Sequence, residues 1–272
     1  MILWNKTSKR RTNGHYYPSE AEFGNEEADI LDQMKLMQEI ANEYIDNKSK
    51  TTLVYLHGWG QNIEMMEPIA KPFKKENNVL IVDLPGHGKS EEPKYAWELN
   101  EFVNMIHELL ETLKVKKVIL IGHSFGGKIS LMYASEYKVE KLILLSSPYK
   151  VEIKKKSLKL RILKFLAKIP LLKTLANYMK TKMGSTDYKN ASPLMRNILV
   201  KHVNTDTTDL CKNINCPTII IWGTNDTTVG INNAYELEKL IKDSAVIPYE
   251  GKTHFAYLEN LQQTINIIKS FI

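Results

Sequence analysis

Ser124 stands in Gly122-His123-Ser124-Phe125-Gly126, behind the apolar run Lys117–Ile121 and ahead of a segment whose Ile129, Met132 and Tyr133 share one helical side. A buried strand, a sharp turn with small residues around a serine, and a helix together make a nucleophile elbow. The turn forces the serine into a strained conformation that the flanking glycines leave room for. It lifts the hydroxyl clear of the sheet and aims the Phe125 amide, at the helix start, where an oxyanion would form. A lone serine here could instead simply cap its helix. What distinguishes the two is company: a serine hydroxyl is a weak nucleophile at neutral pH and needs a base, usually histidine, and an acid to orient it.

Sites in doubly wound sheets form at the carboxyl ends of strands, so the groups to weigh lie on loops just after strands. Of seven histidines, His15 lies in an irregular arm, His107 in a helix and His202 in a helical stretch without strands. His57, His87 and His123 occupy glycine-rich turns, where a hydrogen bond to backbone is the simpler role. His254 follows the last strand and is taken as the base. Asp226, in Gly223-Thr224-Asn225-Asp226, is taken as the acid. Asp83 also ends a strand, but its Asp-Leu-Pro-Gly turn gives it a local backbone-bonding task. The loop His57-Gly58-Trp59-Gly60 can supply the Trp59 amide as a second oxyanion donor, with the indole either lining an acyl pocket or packing.

The elements that must position these groups alternate. Strands are expected at Thr51–Leu56, Val79–Val82, Lys117–Ile121, Leu142–Leu145, Thr218–Trp222 and Ala245–Pro248. Helices are expected after Asn62 to about Lys75, over Trp97–Leu113, from Gly127, over Asn232–Lys242 and over Leu258–Phe271. This rhythm means an α/β fold: a doubly wound, mostly parallel sheet covered on both faces. It stops between 149 and 213, where a stripe from Leu158 to Met179, broken or kinked at Pro170, reads as a helical cap inserted in the core. The core is then 51–148 with 214–272. Residues 1–28 read as an irregular arm, and Ile30, Leu31, Met34, Met37, Ile40, Ala41, Tyr44 and Ile45 as an amphipathic helix over Asp29–Asp46.

Composition narrows the classes. At 272 residues with 43% hydrophobic and 25% charged side chains, the chain reads as an ordinary globule. No apolar run approaches the roughly 20 residues that span a bilayer. Lys6, Lys9, Arg10 and Arg11 have no apolar stretch behind them, so a secretory signal is not expected. Two cysteines, Cys211 and Cys216, without metal-site companions suggest reduced thiols in a cytoplasmic protein, with no metal or cofactor. The net charge of +6 is uneven: between Lys150 and Lys182 eleven basic residues face one acid, Glu152. That surface could dock an acyl-carrier protein, a coenzyme A ester or an anionic membrane surface, or could simply be solvated. Nucleic acid is not expected, because aromatics are not interleaved with the lysines.

Taken together, His57-Gly58-Trp59-Gly60, Asp83-Leu84-Pro85-Gly86-His87-Gly88-Lys89-Ser90, Gly122-His123-Ser124-Phe125-Gly126-Gly127, Trp222-Gly223-Thr224-Asn225-Asp226 and His254-Phe255 resemble the α/β-hydrolase fold superfamily from about Thr51 to Ile272. The resemblance implies Ser124 as nucleophile, Asp226 as acid, His254 as base, and Trp59 and Phe125 as backbone oxyanion donors. The His-Gly-Trp-Gly loop followed by a helical cap is similar to carboxylesterases that cleave pimeloyl-acyl-carrier methyl esters. One departure is the helix-like segment before the His57 loop, where such proteins usually begin with an antiparallel hairpin; about six strands are therefore expected. The function implied is a serine hydrolase of small-molecule carboxylic esters or thioesters. A C–C hydrolase, lyase or acyltransferase on the same residues, or a non-catalytic binding protein, are the other classes.

Overall fold

A computed structural model of the chain describes residues 40–151 and 186–272. In chain order these form β1 (Asn42–Ile45), β2 (Thr52–Leu56), α1 (Ile63–Ala70), β3 (Asn78–Val82), α2 (Leu99–Thr112), β4 (Val118–His123), α3 (Phe125–Glu136) and β5 (Lys141–Leu145). There follow α4 (Thr186–Asn190), α5 (Pro193–Asn204), α6 (Thr208–Cys211), β6 (Thr218–Gly223), α7 (Asn232–Leu240), β7 (Ser244–Tyr249), α8 (Ala256–Glu259) and α9 (Leu261–Phe271). The strands make one sheet in the order β1-β3-β2-β4-β5-β6-β7, parallel throughout except for β1 against β3.

The sheet is buried on both faces, which explains why its central strands read as unbroken apolar runs. Leu53, Tyr55, Val79, Ile81, Ile119 and Ile121 point to one face, under Met66 and Ile69 of α1 and Ile265 and Ile268 of α9. Their alternating neighbours Val54, Leu56, Leu80, Val82 and Leu120 are equally buried on the other. Pairing Leu56 with Gly122 and Val82 with Leu56 aligns the carboxyl ends of β2, β3 and β4, so the loops that follow them open on one edge. Among the described residues no helix is long and apolar enough to cross a membrane.

The amino-terminal edge corrects the sequence reading. Residues 42–45 are not the end of a helix but strand β1, paired Asn42 with Val82 through Ile45 with Val79, and the sheet has seven strands instead of about six. Residues 29–39 of the expected helix, and the arm before them, lie outside the described residues. The physical reason is tertiary: β3 offers an open edge of backbone donors and acceptors, and a strand that answers it outweighs helical spacing. The turn after β1 is fixed by polar side chains. Lys48 takes φ 57°, its N–H donating to Asp46 Oδ1, while the buried Asn78 side chain accepts from Asn47 N–H and Ser49 N–H and donates to Ser49 O.

Between β5 and β6 the described residues form the helices α4, α5 and α6, and 152–185, with the Leu158–Met179 stripe, lie outside them. Chain leaving and returning to the core is clamped: Thr207 N–H and Oγ1–H both donate to Tyr149 O, at 2.8 and 2.7 Å. The closing helix is broken at Asn260 into α8 and α9. Asn78→Ala removes a buried side chain and strips three hydrogen bonds from the β1–β2 turn, those to the partly exposed backbone of Asn47 and Ser49. We expect it to cost about 2–3 kcal/mol, read as a lower urea midpoint at unchanged slope; an unchanged midpoint would contradict this account of the edge.

Candidate active site

The turn between β4 and α3 sets the geometry. Ser124 takes φ 49° and ψ −110°, a left-handed backbone that a residue with a side chain rarely adopts. Three hydrogen bonds hold it there. Ser124 N–H donates to Leu145 O at 2.9 Å, Gly126 N–H to His57 O at 3.0 Å and Lys128 N–H to Ser124 O at 3.0 Å. The two motif glycines are required by space: a Cβ on Gly126 would lie 2.3 Å from Leu56 O, and one on Gly122 would lie 2.6 Å from Gly126 O. The amino end of α3 can therefore come up against the ends of β2 and β4.

The structure brings Ser124, His254 and Asp226 into one line. Ser124 Oγ lies 3.0 Å from His254 Nε2, and His254 Nδ1 lies 2.7 Å from Asp226 Oδ2. Asp226 is an acceptor on every side: Oδ1 also takes the N–H groups of Thr228 and Val229, at 2.8 and 2.9 Å. A carboxylate facing Nδ1 keeps the proton on that nitrogen, leaving Nε2 free to accept the serine proton. The Asp226 side chain is fully buried, while that of His254 is 12% exposed, which leaves the imidazole reachable from outside. The loops carrying them are tied together through Asn225 N–H to Lys252 O and Thr224 N–H to Tyr249 O. Neither the Trp59 amide nor the Phe125 amide donates to an acceptor among the described residues.

His57, His87 and His123 bond the neighbouring loops. His57 donates from Nδ1 to Gly58 O and accepts Leu84 N–H on Nε2, fixing a neutral tautomer that joins the β2 and β3 loops. Asp83 takes Ile63 N–H and Lys89 N–H, the backbone task its turn suggested. His87 bonds Pro85 O. His123 contacts Gln61 Oε1 and His254 O, both at 3.1 Å; a neutral ring has one N–H for these two acceptors. Burial, helped by the neighbouring His87, pulls His57 down to about 3, and burial beside His254 does the same to His123.

Sequence reasoning missed two residues here. His202 of α5 packs its ring 4.3 Å from that of Phe125 and parallel to the Trp59 indole, and Lys128 lies buried beneath it. The available signal was the spacing Met195, Ile198, His202, which puts the histidine on the buried stripe of α5. Burial, with the Lys128 charge nearby, holds His202 well below its ordinary value, so it too is neutral. The Trp59 indole packs between His87 and Phe125, at 4.8 and 5.3 Å. Of the eleven basic residues noted from 150 to 182, Lys150 is described and pairs with Glu236; the others lie outside the described residues.

A model of the alpha/beta hydrolase fold family matches residues 51–174. The AB hydrolase superfamily protein YisY of Bacillus subtilis is 29% identical over 248 residues, covering 80% of this chain and 90% of that one. The mouse monoacylglycerol lipase ABHD6 is 27% identical over 254 residues, covering 82% and 76%. Among solved structures, bromoperoxidase from Bacillus anthracis superposes with a TM-score of 0.68 at 22% identity, over 85% of this chain and 94% of that one.

The buried neutral imidazoles carry a pH signature. Each binds a proton in the unfolded chain near its ordinary 6.5 but resists it when folded, down to about 3 for His57 and His123. The unfolded state therefore binds more protons across this window, and stability falls as pH drops from 6.5 toward 3. His57→Gln should flatten the slope of unfolding free energy between pH 6 and 4 by about 1.4 kcal/mol per pH unit. Parallel slopes for variant and wild type would mean that His57 takes up its proton in the fold.

Proposed function

Because the chain belongs to the α/β-hydrolase fold superfamily, with the fold's mostly parallel sheet and its own serine at the elbow, we propose that it is a serine hydrolase of carboxylic esters or thioesters. The observation that carries the reading is the unbroken chain from Ser124 Oγ through His254 to the buried Asp226. His254 Nε2 takes the hydroxyl proton as Ser124 Oγ attacks the carbonyl carbon. The oxygen that becomes negative is received by the amides of Trp59 and Phe125, the latter at the amino end of α3, where the helix dipole favours negative charge. His254 then returns the proton to the leaving alcohol or thiol, an acyl group stays on Ser124, and water activated by the same imidazole releases the acid. Asp226 holds the ring and stabilises its charged form. The esterolytic names carried by relatives, a monoacylglycerol lipase among them, support an acyl substrate.

Cytoplasmic placement belongs to the same proposal, supported by two free, buried cysteines whose thiols burial pushes up, that of Cys211 to about 12. Small esters or thioesters are the proposed substrates. The basic segment makes an acyl-carrier protein, a coenzyme A ester or an anionic lipid surface a fitting bearer of the acyl group. If so, reversing the charges of Lys154, Lys155 and Lys156 raises KM for a carrier-linked ester at low salt and leaves a p-nitrophenyl ester unaffected; equal effects on both would end the docking idea.

The test of the chemistry is kinetic. Ser124→Ala should abolish p-nitrophenyl ester turnover, and Asp226→Asn, which presents an amide to Nδ1 and spoils the tautomer, should lower kcat by about 10⁴-fold. Hydroxylamine added to wild type should divert acyl groups to the hydroxamate from a common intermediate. Full turnover by Ser124→Ala would refute the assignment. Transfer to added alcohol in preference to water would favour an acyltransferase on the same residues.

A further inference from the structure

Lys128 is 1% exposed, yet it is a lysine on the helix that starts at the nucleophile. Among the described residues its ammonium forms no ion pair with a carboxylate. Nζ donates to His202 O at 2.9 Å and to Thr205 O at 2.5 Å, two carbonyls at the carboxyl end of α5. Helix ends leave their last carbonyls without internal partners, and a cation there also meets the negative end of the helix dipole. The neighbouring carbonyls are answered locally: Asn204 Nδ2 donates to Val200 O and Thr205 Oγ1 to Lys201 O. His202 O also accepts Thr205 N–H at 3.2 Å, so Lys128 adds a second donor there and answers Thr205 O from another part of the fold. Asp206 and Cys211 also face the ammonium, but burial dominates and pulls it down to about 8. Keeping such a group in the interior is costly, and a methionine would fill the same space without that cost.

The residue that Lys128 holds by its carbonyl is the one whose ring lies on the site. His202 sits edge-on to Phe125 and stacked over Trp59. Those are the two residues proposed above as the oxyanion donors, and among the described residues their amides meet no acceptor. Among the described residues His202 Nδ1 has no hydrogen-bond partner, so on that side the ring is placed by its backbone and packing. We propose that Lys128 is a positioning residue: by capping α5 it seats His202 against Phe125 and Trp59 and so keeps the oxyanion donors aligned. The alignment of the core's donors then depends on the docking of α5. The inference rests on the serine-hydrolase reading for its effect on rate, but its structural half stands separately.

The experiment compares wild type, Lys128→Met, Lys128→Arg and His202→Ala on a short p-nitrophenyl ester, with hydrogen exchange followed over residues 193–205. Lys128→Met should expose the α5 amides to faster exchange and lower kcat about 10- to 100-fold, with KM nearly unchanged and affinity for a trifluoromethyl ketone analogue reduced in parallel with kcat. Lys128→Arg, which keeps both donors and the charge, should restore most of the rate. A purely structural lysine would lower the melting temperature without this split between kcat and KM. His202→Ala should reproduce the kcat loss with Lys128 in place, and it decides the matter if Lys128→Met does not fold. Wild-type kcat in His202→Ala, or unchanged α5 exchange in folded Lys128→Met, would overturn the proposal. Absence of ester turnover in wild type would instead remove the functional reading, leaving the exchange result to judge the cap.

Discussion

Everything at the site depends on the backbone of one residue. Ser124 is held at φ 49° where β4 gives way to α3, at a cost of about 1–3 kcal/mol in local strain. The strain persists because both flanking structures over-determine it. Leu145 O and Ser124 O take up hydrogen bonds across the turn, while Gly126 N–H binds His57 O and docks the helix end on β2. The consequence is chemical. The same turn that raises Oγ toward His254 frees the Phe125 amide and places it beside the loop that carries Trp59.

The second theme is the use of neutral imidazoles as fixed polar spacers. His57 bridges two loops with a donor and an acceptor in a defined tautomer. His123 lies between the Gln61 side chain and the carbonyl of His254, 3.1 Å from each, with one N–H to give, so it sits where the loop bearing Trp59 meets the loop bearing His254. Gln61 in turn accepts Gly58 N–H, in the turn before Trp59. Burial keeps these rings uncharged and limits them to one proton apiece. His254 differs in its company: a buried carboxylate on one nitrogen and a hydroxyl on the other.

What was legible in the sequence was what is encoded locally. The elbow, the Asp83 turn and the order of strands are written in adjacent residues, because glycine, proline and β-branched runs act over a few positions. Asp226 and His254 could be chosen because sites gather at strand ends, a rule of topology that needs no coordinates. The first strand was misread since Tyr44 and Ile45 fit a helical stripe, and only the open edge of β3 makes them extended. The spacing on α5 could show that His202 is buried, but its pairing with Lys128 was illegible for a related reason. They are separated by 74 positions, and their contact is made through a carbonyl, which no residue type announces.

Ester chemistry at this site requires that the hydroxyl of residue 124 be activated by the groups around it. The most direct measurement is fluorophosphonate labelling of the native protein followed by peptide mapping. A single adduct on Ser124, formed rapidly in wild type and slowed by orders of magnitude in His254→Ala, is the result predicted. No adduct, or one on Ser124 at the same rate with and without the imidazole, would contradict it.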